Sequence, residues 1–496
     1  MKKIKSLSLF ILQVFVISTI FLAAHSSTLN YLPLINKDES SSIFIKTTID
    51  LLGDNNGTLI CNASFEQYEP QICADGSGGA IIVWRDIRSG SNGDIYARRI
   101  LTNGSTTWTV NGVAICTASF NQISPQICSS GADGAVITWQ DGRNGLFDIY
   151  AQKIFVNGSI AWMADGVAIC TASYDQEYPQ ICSDGMGGAI ITWQDYRNLS
   201  NYDIYAQRIL ANGSTVWMAD GVAICNASND QQDHQICSDG IGGAIITWQD
   251  YRSEIDIYAQ KINSAGSVQW TADGEAICTA SNNQRYPQIC GNGAGGAIIT
   301  WDDARSGSFD IYAQKILVNG SSAWMADGVA ICTASGGQAY PQICGSEAGG
   351  AIITWEDYQS GVDIYAQKIN SAGNVQWIPN GEAICTAIND QIFPEICSDG
   401  VGGAIITWMD YRSGSKYDIY TQKINSAGSV QWTADGVAIC TANNDQHIPQ
   451  ICNDGMGGVV ITWWDDRGGS DPDIYAQKII YDYLPTSDHP EDITTT

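Results

Sequence analysis

The sequence predicts an all-β fold, an eight-bladed β-propeller of four-stranded antiparallel blades. Three observations carry that prediction. Cysteine recurs at one fixed beat, each beat holds four short strand signals, and the final copy stops one strand early. The 16 cysteines fall into eight pairs whose members stand 12 positions apart: Cys61/Cys73, Cys116/Cys128, Cys170/Cys182, Cys225/Cys237, Cys278/Cys290, Cys332/Cys344, Cys385/Cys397 and Cys440/Cys452. First members of successive pairs are 53 to 55 positions apart, the slack that turns of varying length produce. Such a period marks a repeat architecture in which each unit buries its apolar faces against its neighbours.

Residues 225–277 show the elements of one unit in order. Gln235 to Ser238 is a short strand, followed by the turn Asp239-Gly240-Ile241-Gly242-Gly243. Ala244 to Gln249 is an apolar, β-branched run that suits a strand buried on both faces. After a loop over 250–255, Asp256 to Ile262 alternates with period two, as a half-buried strand does. The turn Asn263 to Gly266 opens a fourth strand from Val268 through Trp270 toward Ile277. Other copies place Asn-Gly at this turn (Asn103-Gly104, Asn157-Gly158, Asn212-Gly213, Asn319-Gly320), a strong hairpin signal in which both residues are expected at positive φ. Helical periodicity is absent, which excludes helical solenoids; a β-helix or an open array of hairpins remains the alternative. The last copy ends after its third strand, Asp473 to Ile479, whereas Ile49 to Ile60 precedes the first copy and ends like a fourth strand. The N-terminal segment is therefore expected to complete the last blade and leave no open sheet edge.

The propeller is assigned to residues 49–482. Residues 1–27 read as a secretory signal, with Lys2, Lys3 and Lys5, an apolar run from Leu7 to Ala24, and then His25-Ser26-Ser27. An uncleaved anchor is the competing reading of that run. Residues 28–48 read as a polar linker and 483–496 as a polar tail. The chain is expected to be extracellular, secreted or at the cell surface, with no membrane span after signal cleavage. Basic residues number 24 and acidic ones 52, a net charge of −28, which disfavours nucleic acid and anionic lipid and attracts divalent cations.

The repeated GGAIITW(Q)DYRSG…DIYAQKI…G…VQW resembles secreted bacterial and archaeal β-propeller repeat proteins over about residues 50–480. It is more distantly similar to sialidase-like propellers with Asp-box repeats. The resemblance implies the fold and no activity. Read back from Trp270, the Asp-box positions hold Asn263, Ala265, Ser267 and Gln269, so the box is absent. The sialidase set of three clustered arginines, a Tyr–Glu pair and an acid/base Asp has no counterpart residues in this chain.

Several constellations recur. An Asp with an Arg just beyond it follows the second strand as Asp86/Arg88, Asp141/Arg143, Asp195/Arg197, Asp250/Arg252, Asp303/Arg305, Asp410/Arg412 and, read without a spacer, Asp466/Arg467; Asp357 meets Gln359 instead. A second Asp opens the third strand in every copy, from Asp94 to Asp473. Carboxylates repeated eight times cannot all serve one active site, so a loop clamp is the expected role. A Gln between the paired cysteines (Gln67, Gln122, Gln176, Gln231, Gln284, Gln338, Gln391, Gln446) is expected to satisfy loop backbone. An exported chain with an even cysteine count suggests eight disulfides, against a Cα separation that would exceed ~7 Å if the partners sit on different blades. No cofactor is required, but Asp465, Asp466, Asp471 and Asp473 crowd into nine residues and suggest calcium. Eight Asn-x-Ser/Thr sequons, at Asn56, Asn62, Asn103, Asn157, Asn198, Asn212, Asn226 and Asn319, are candidate glycan sites, although Asn-Gly-Ser is also simply a good hairpin.

The loops between strands 2 and 3 and between strands 4 and 1 should share one face, and that face varies between copies. Tyr178, Tyr286, Tyr340 and Phe393 precede the recurrent Pro there, and Tyr202, Phe309 and Tyr417 lie between strands 2 and 3. Aromatic rings in variable loops suit sugar stacking or a protein anchor. The expected function is a non-enzymatic scaffold binding an extracellular carbohydrate or protein through this face. The alternatives are a purely structural surface-coat protein and an extracellular glycoside hydrolase or lyase. An enzyme would need residues peculiar to one or two blades, and the departures from the repeat are His234, Glu347, Gln359 and Trp464.

Overall fold

Every blade is built from the same local chemistry. The run Ala244–Asp250 is buried along its whole length, so its β-branched side chains pack on both sheet faces. The polar Asp-Gly-x-Gly-Gly and hairpin turns return the chain at its ends. The computed structural model describes residues 49–54, 56–469 and 471–481; the signal, the linker and the polar tail lie outside them. It shows an eight-bladed propeller of four-stranded antiparallel sheets, as the repeat predicts. Inner strands begin at Gln67, Gln122, Gln176, Gln231, Gln284, Gln338, Gln391 and Gln446, which number blades 1 to 8. In blade 4 the inner, second, third and outer strands are Gln231–Ser238, Ala244–Asp250, Asp256–Ile262 and Glu275–Cys278. Inner strands of successive blades lie side by side, and blade 8 meets blade 1.

Closure comes from the N-terminus. Asp50–Leu52 and Thr58–Cys61 both pair antiparallel with the third strand of blade 8, with Asp50 opposite Ile480 and Cys61 opposite Ile474. Asn56 completes the rim by accepting the Thr441 N–H on Oδ1 (2.9 Å) and Arg467 Nη2 on its carbonyl (2.7 Å). The third strand of the last blade is thereby paired on both sides.

The core is a set of eight interfaces between blades. Each holds one fully buried Trp from a second strand (Trp84, Trp139, Trp193, Trp248, Trp301, Trp355, Trp408, Trp463) among isoleucines, together with the inner-strand and outer-strand cysteines of the preceding blade. Burying one such large side chain contributes about 2–3 kcal/mol, so the interfaces dominate the stability.

The hairpins depart from expectation in detail. Only the glycine takes positive φ (Gly158, +84°), while the preceding Asn stays right-handed and caps the turn through Oδ1, as Asn157 does for Ser159. This is a type I turn with a glycine bulge rather than two left-handed residues. A Cβ on Gly158 would come within 2.8 Å of Trp108 of the preceding blade, so the turn also fixes how neighbouring blades meet.

The disulfides are a correction. All 16 cysteines are free and buried. Cys61 packs between blades 8 and 1, whereas Cys73 packs between blades 1 and 2 beside Cys116. Members of each pair 12 apart thus sit on successive blades, the first on an outer strand and the second on the next inner strand, and pack in different interfaces. The two thiols that share an interface sit on an inner and an outer strand, three strand spacings or about 14 Å apart, far beyond the ~7 Å disulfide limit. Burial holds the outer thiols up to about 12 and the inner ones well above their ordinary value. They behave as small apolar core residues.

Candidate functional site

At the rim of the variable face the Asp–Arg pairs form clamps. In blade 3, Asp195 accepts the Trp193 indole N–H (2.8 Å) and Arg197 Nε and Nη2 (2.7 and 2.5 Å). Arg197 reaches on to Cys170 Sγ of blade 2 (3.3 Å) and the Asp220 carbonyl (2.8 Å), with its guanidinium 3.8 Å from the Tyr205 ring centroid. The last copy needs correction. Asp465, not Asp466, holds Arg467 (2.6 Å), and Asp466 is the spacer. The calcium quartet is divided for the same reason. Asp465 gives its oxygens to Trp463 and Arg467, Asp473 pairs opposite it in the sheet, and Asp471 stands exposed. Asp466 turns instead to His447 Nε2 (3.2 Å). With Asp445 these three offer ligand atoms within 4.8 Å of one another, a donor set suited to a borderline divalent ion rather than to calcium.

The sequons Asn62, Asn103, Asn157, Asn198, Asn212, Asn226 and Asn319 are exposed, while Asn56 is half-buried in the closure contact. Asn103, Asn157, Asn212 and Asn319 cap their hairpins through Oδ1.

The variable face converges on the channel mouth. The residues before the recurrent Pro do not lie in loops, as expected from sequence, but in a bulge within each inner strand. All eight (Glu69, Ser124, Tyr178, Asp233, Tyr286, Tyr340, Phe393, Ile448) take positive φ between 45° and 55°. The bulge shifts the register, for example between Gln232 and Gln235, and so tolerates a proline without a ladder N–H. In several blades its strained N–H is met from the preceding blade by the variable residue of the Trp-x-Asp motif, and in blade 2 the Ser124 N–H is met by Glu69 instead (3.2 Å). Gln140 Oε1 accepts from Tyr178 (3.0 Å), Gln194 from Asp233 (2.9 Å), Gln249 from Tyr286 (2.8 Å) and Glu356 from Phe393 (2.8 Å). Sequence reasoning missed these residues. Their signal was one changing position inside a motif otherwise copied from blade to blade.

A cavity of about 130 Å³ opens here across blades 3 to 6, lined by Glu177, Tyr178, Gln194, Tyr202, Gln232, Asp233, His234, Tyr286 and Tyr340 above a floor of Gln180, Gln235, Gln288 and Gln342. Four of the predicted aromatics thus come together. Tyr286 and Tyr340 lie 5.5 Å apart between ring centroids, and Tyr202 Oη donates to Glu177 (3.0 Å). Phe309 does not join them but stacks 3.6 Å from the Arg285 guanidinium. Phe393 and Tyr417 pack into the apolar interface of blades 7 and 8. Of the departures from the repeat, His234 lines the cavity, Gln359 and Trp464 stand elsewhere on the same face, and Glu347 sits in a turn on the opposite one.

His234 replaces the proline of the other copies. It is 2% exposed, and neither ring nitrogen has a hydrogen-bond partner of proper geometry among the described residues. Burial pulls its pKa down to about 4 against a weak opposing pull from the Thr192 backbone, so the ring is neutral at pH 7. Burial pushes Asp233 up to about 6, opposed by a hydrogen bond from Gln249. Glu177 is raised by burial and partly restored by Tyr202. Behind the wall, burial takes Asp302 and Glu356 to about 7 each. Asp302 is engaged by Arg285 (3.1 Å) and Glu356 by Phe393 N–H and Tyr358 Oη. The buried amide oxygens of Gln288 and Gln342 in the floor also lack protein partners.

No family model matches the chain, and no curated protein resembles it in sequence. Solved structures of related shape include a protein of unknown function from Dyadobacter fermentans, at 10% identity and TM-score 0.45, covering 87% of this chain and 99% of that one. A polysaccharide lyase, an ulvan lyase, aligns at 9% identity and TM-score 0.46 over 84% and 94%. A subtype N11 neuraminidase-like protein of A/flat-faced bat/Peru/033/2010 (H18N11) aligns at 11% identity and TM-score 0.34 over 66% and 91%.

Proposed function

We propose that this chain is a secreted or cell-surface, non-enzymatic scaffold that binds an extracellular carbohydrate at its channel mouth. One observation carries the reading: four tyrosines meet at a cavity whose lining also holds buried polar atoms without partners among the described residues, both ring nitrogens of His234 and the amide oxygens of Gln288 and Gln342. Buried polar groups are ordinarily satisfied, so orphans in the lining of an open cavity point to a polar occupant. The cavity approaches the ~150 Å³ of an engineered site that takes a benzene ring, so its size suits one six-membered ring. Tyrosine faces suit the apolar side of a sugar, while Gln194, Gln232 and the carboxylates suit its hydroxyls.

The test is a binding titration of the Tyr286→Ala, Tyr340→Ala double variant against a panel of immobilised polysaccharides. Affinity should fall at least tenfold, about 1.4 kcal/mol, with the denaturation midpoint little changed. Unchanged affinity would overturn the reading. A polysaccharide-acting enzyme is the second reading, favoured by carboxylates raised toward neutrality beside a cleft. Against it, Asp302 and Glu356 are committed to protein partners, which leaves Glu177 and Asp233 as the carboxylates that line the cavity.

A further inference from the structure

We propose that the channel-mouth pocket selects a sugar carrying a protonated amine, a glucosamine-type unit, over neutral and acidic sugars. The inference rests on the carbohydrate-binding reading and names its ligand class. Glu177 and Asp233 are the charged side chains in the lining, which includes no Lys or Arg. An acidic sugar would meet two carboxylates and no cation in the lining, and like charges juxtaposed in a binding site disfavour binding.

A cation meets several favourable groups in the lining. Tyr178, Tyr202 and Tyr340 offer ring faces that attract an ammonium, while the Tyr286 ring already carries the Arg285 guanidinium 5.1 Å from its centroid. Glu177 receives one donor from Tyr202 and Asp233 one from Gln249. A carboxylate has about four acceptor sites, so each can take an ammonium N–H as well. His234 adds an unpaired ring that can accept one hydrogen bond and donate another, and being uncharged it does not repel a cation. The position is peculiar to blade 4, since the other seven copies hold proline there. The net charge of −28 also draws cations toward the mouth.

The test is calorimetric titration of the purified chain with four oligosaccharides of equal length: a glucosamine oligomer, its N-acetylated counterpart, a neutral glucan and a glucuronate oligomer. The glucosamine oligomer should bind at least tenfold tighter than the N-acetylated one, and the glucuronate should bind least. Asp233→Asn should remove most of that preference. His234→Pro, which restores the residue of the other copies and so keeps the fold, should weaken glucosamine binding at least fivefold. Equal or tighter binding of the neutral or acidic oligomers would overturn the amine selectivity and leave the carbohydrate reading standing. No binding by any of the four would overturn both.

Discussion

The rim of blade 3 and the rim of blade 6 follow one sequence pattern and differ in the residue that closes the Asp clamp, Arg197 in one and Gln359 in the other. In blade 3, Arg197 joins the Asp195 carboxylate, the Cys170 thiol of the next sheet, the Asp220 carbonyl and the Tyr205 ring. In blade 6, Gln359 reaches Asp357 through its backbone N–H (3.1 Å) and Nε2 (3.4 Å) and goes no further. The buried Trp355 Nε1 there has no hydrogen-bond partner, whereas Trp193 Nε1 gives its proton to Asp195. The arginine therefore does more than neutralise an aspartate. It sets the carboxylate where the indole can use it, and it ties two sheets together. Blade 6 also supplies Tyr340 to the cavity, so the loosest rim stands beside the candidate site.

The largest effect should come from removing a clamp that is complete. Asp195→Ala strands a buried indole N–H and an arginine whose partner was a fully buried carboxylate. Breaking such a pair by removing one partner costs about 3 kcal/mol or more. Asp357→Ala, where the indole is already unpaired, should cost about 1 kcal/mol, the value of an ordinary hydrogen bond. Denaturant unfolding of the two variants checks this, and equal losses would break the comparison.

Blade 7 shows a second kind of departure, at the channel. Seven inner strands place a buried Gln there (Gln71, Gln126, Gln180, Gln235, Gln288, Gln342, Gln450), and blade 7 places Glu395. Gln342 and Gln450 both donate to its Oε1 (3.4 Å each). Burial raises its pKa to about 8, opposed by the bond from Gln450. An unfolded Glu titrates near ~4.3, so the folded state binds the extra proton between these values. The favourable contribution is full below about pH 4, falls as pH rises, and is gone above about 8. Glu395→Gln should therefore match the parent at pH 4 and exceed it by about 5 kcal/mol at pH 9. Parallel stability curves at both pH values would show that Glu395 is not buried as described.

Much of this was legible in the sequence because it is copied. The cysteine beat, the buried Trp strand and the split last copy fix blade number, strand order and closure, each backed by eightfold repetition. The bulge was not legible. Nothing in Tyr178-Pro179 announces a left-handed residue, since its strain is offset by Gln140, which is 38 positions away in another blade. The disulfides misled because sequence spacing carries no direction. Cys61 and Cys73 are near in the chain yet lie on the outer strand of one sheet and the inner strand of the next. The tyrosines of the pocket were found as exceptions to the repeat, but Phe393 and Tyr417, exceptions of the same kind, fill an apolar interface instead. What separates them is the residue each one meets: Ile448 and its surroundings take Phe393, while His234 and Asp233 leave Tyr286 at a cavity.

The comparison of rims is sharpest in reverse. Gln359→Arg gives blade 6 the residue that seven blades hold, in a backbone already shaped for it, because Gln359 N donates to Asp357 Oδ1 (3.1 Å) as Arg197 N does to Asp195 (2.9 Å). The new guanidinium would find a buried carboxylate, the Cys332 thiol of the neighbouring sheet and the Tyr365 ring in place. A hydrogen bond to a charged group contributes about 1.5 kcal/mol or more, and ordering a long side chain takes back part of it. A net gain of about 1 kcal/mol is expected, read as a higher denaturant midpoint with an unchanged slope. If the gain appears together with weaker carbohydrate binding, the slack rim of blade 6 serves the pocket. If it appears with binding unchanged, Gln359 is a lost clamp and nothing more. A loss of stability would mean that the seven arginines depend on more of their loops than the Asp–Trp pair, and the comparison would fail there.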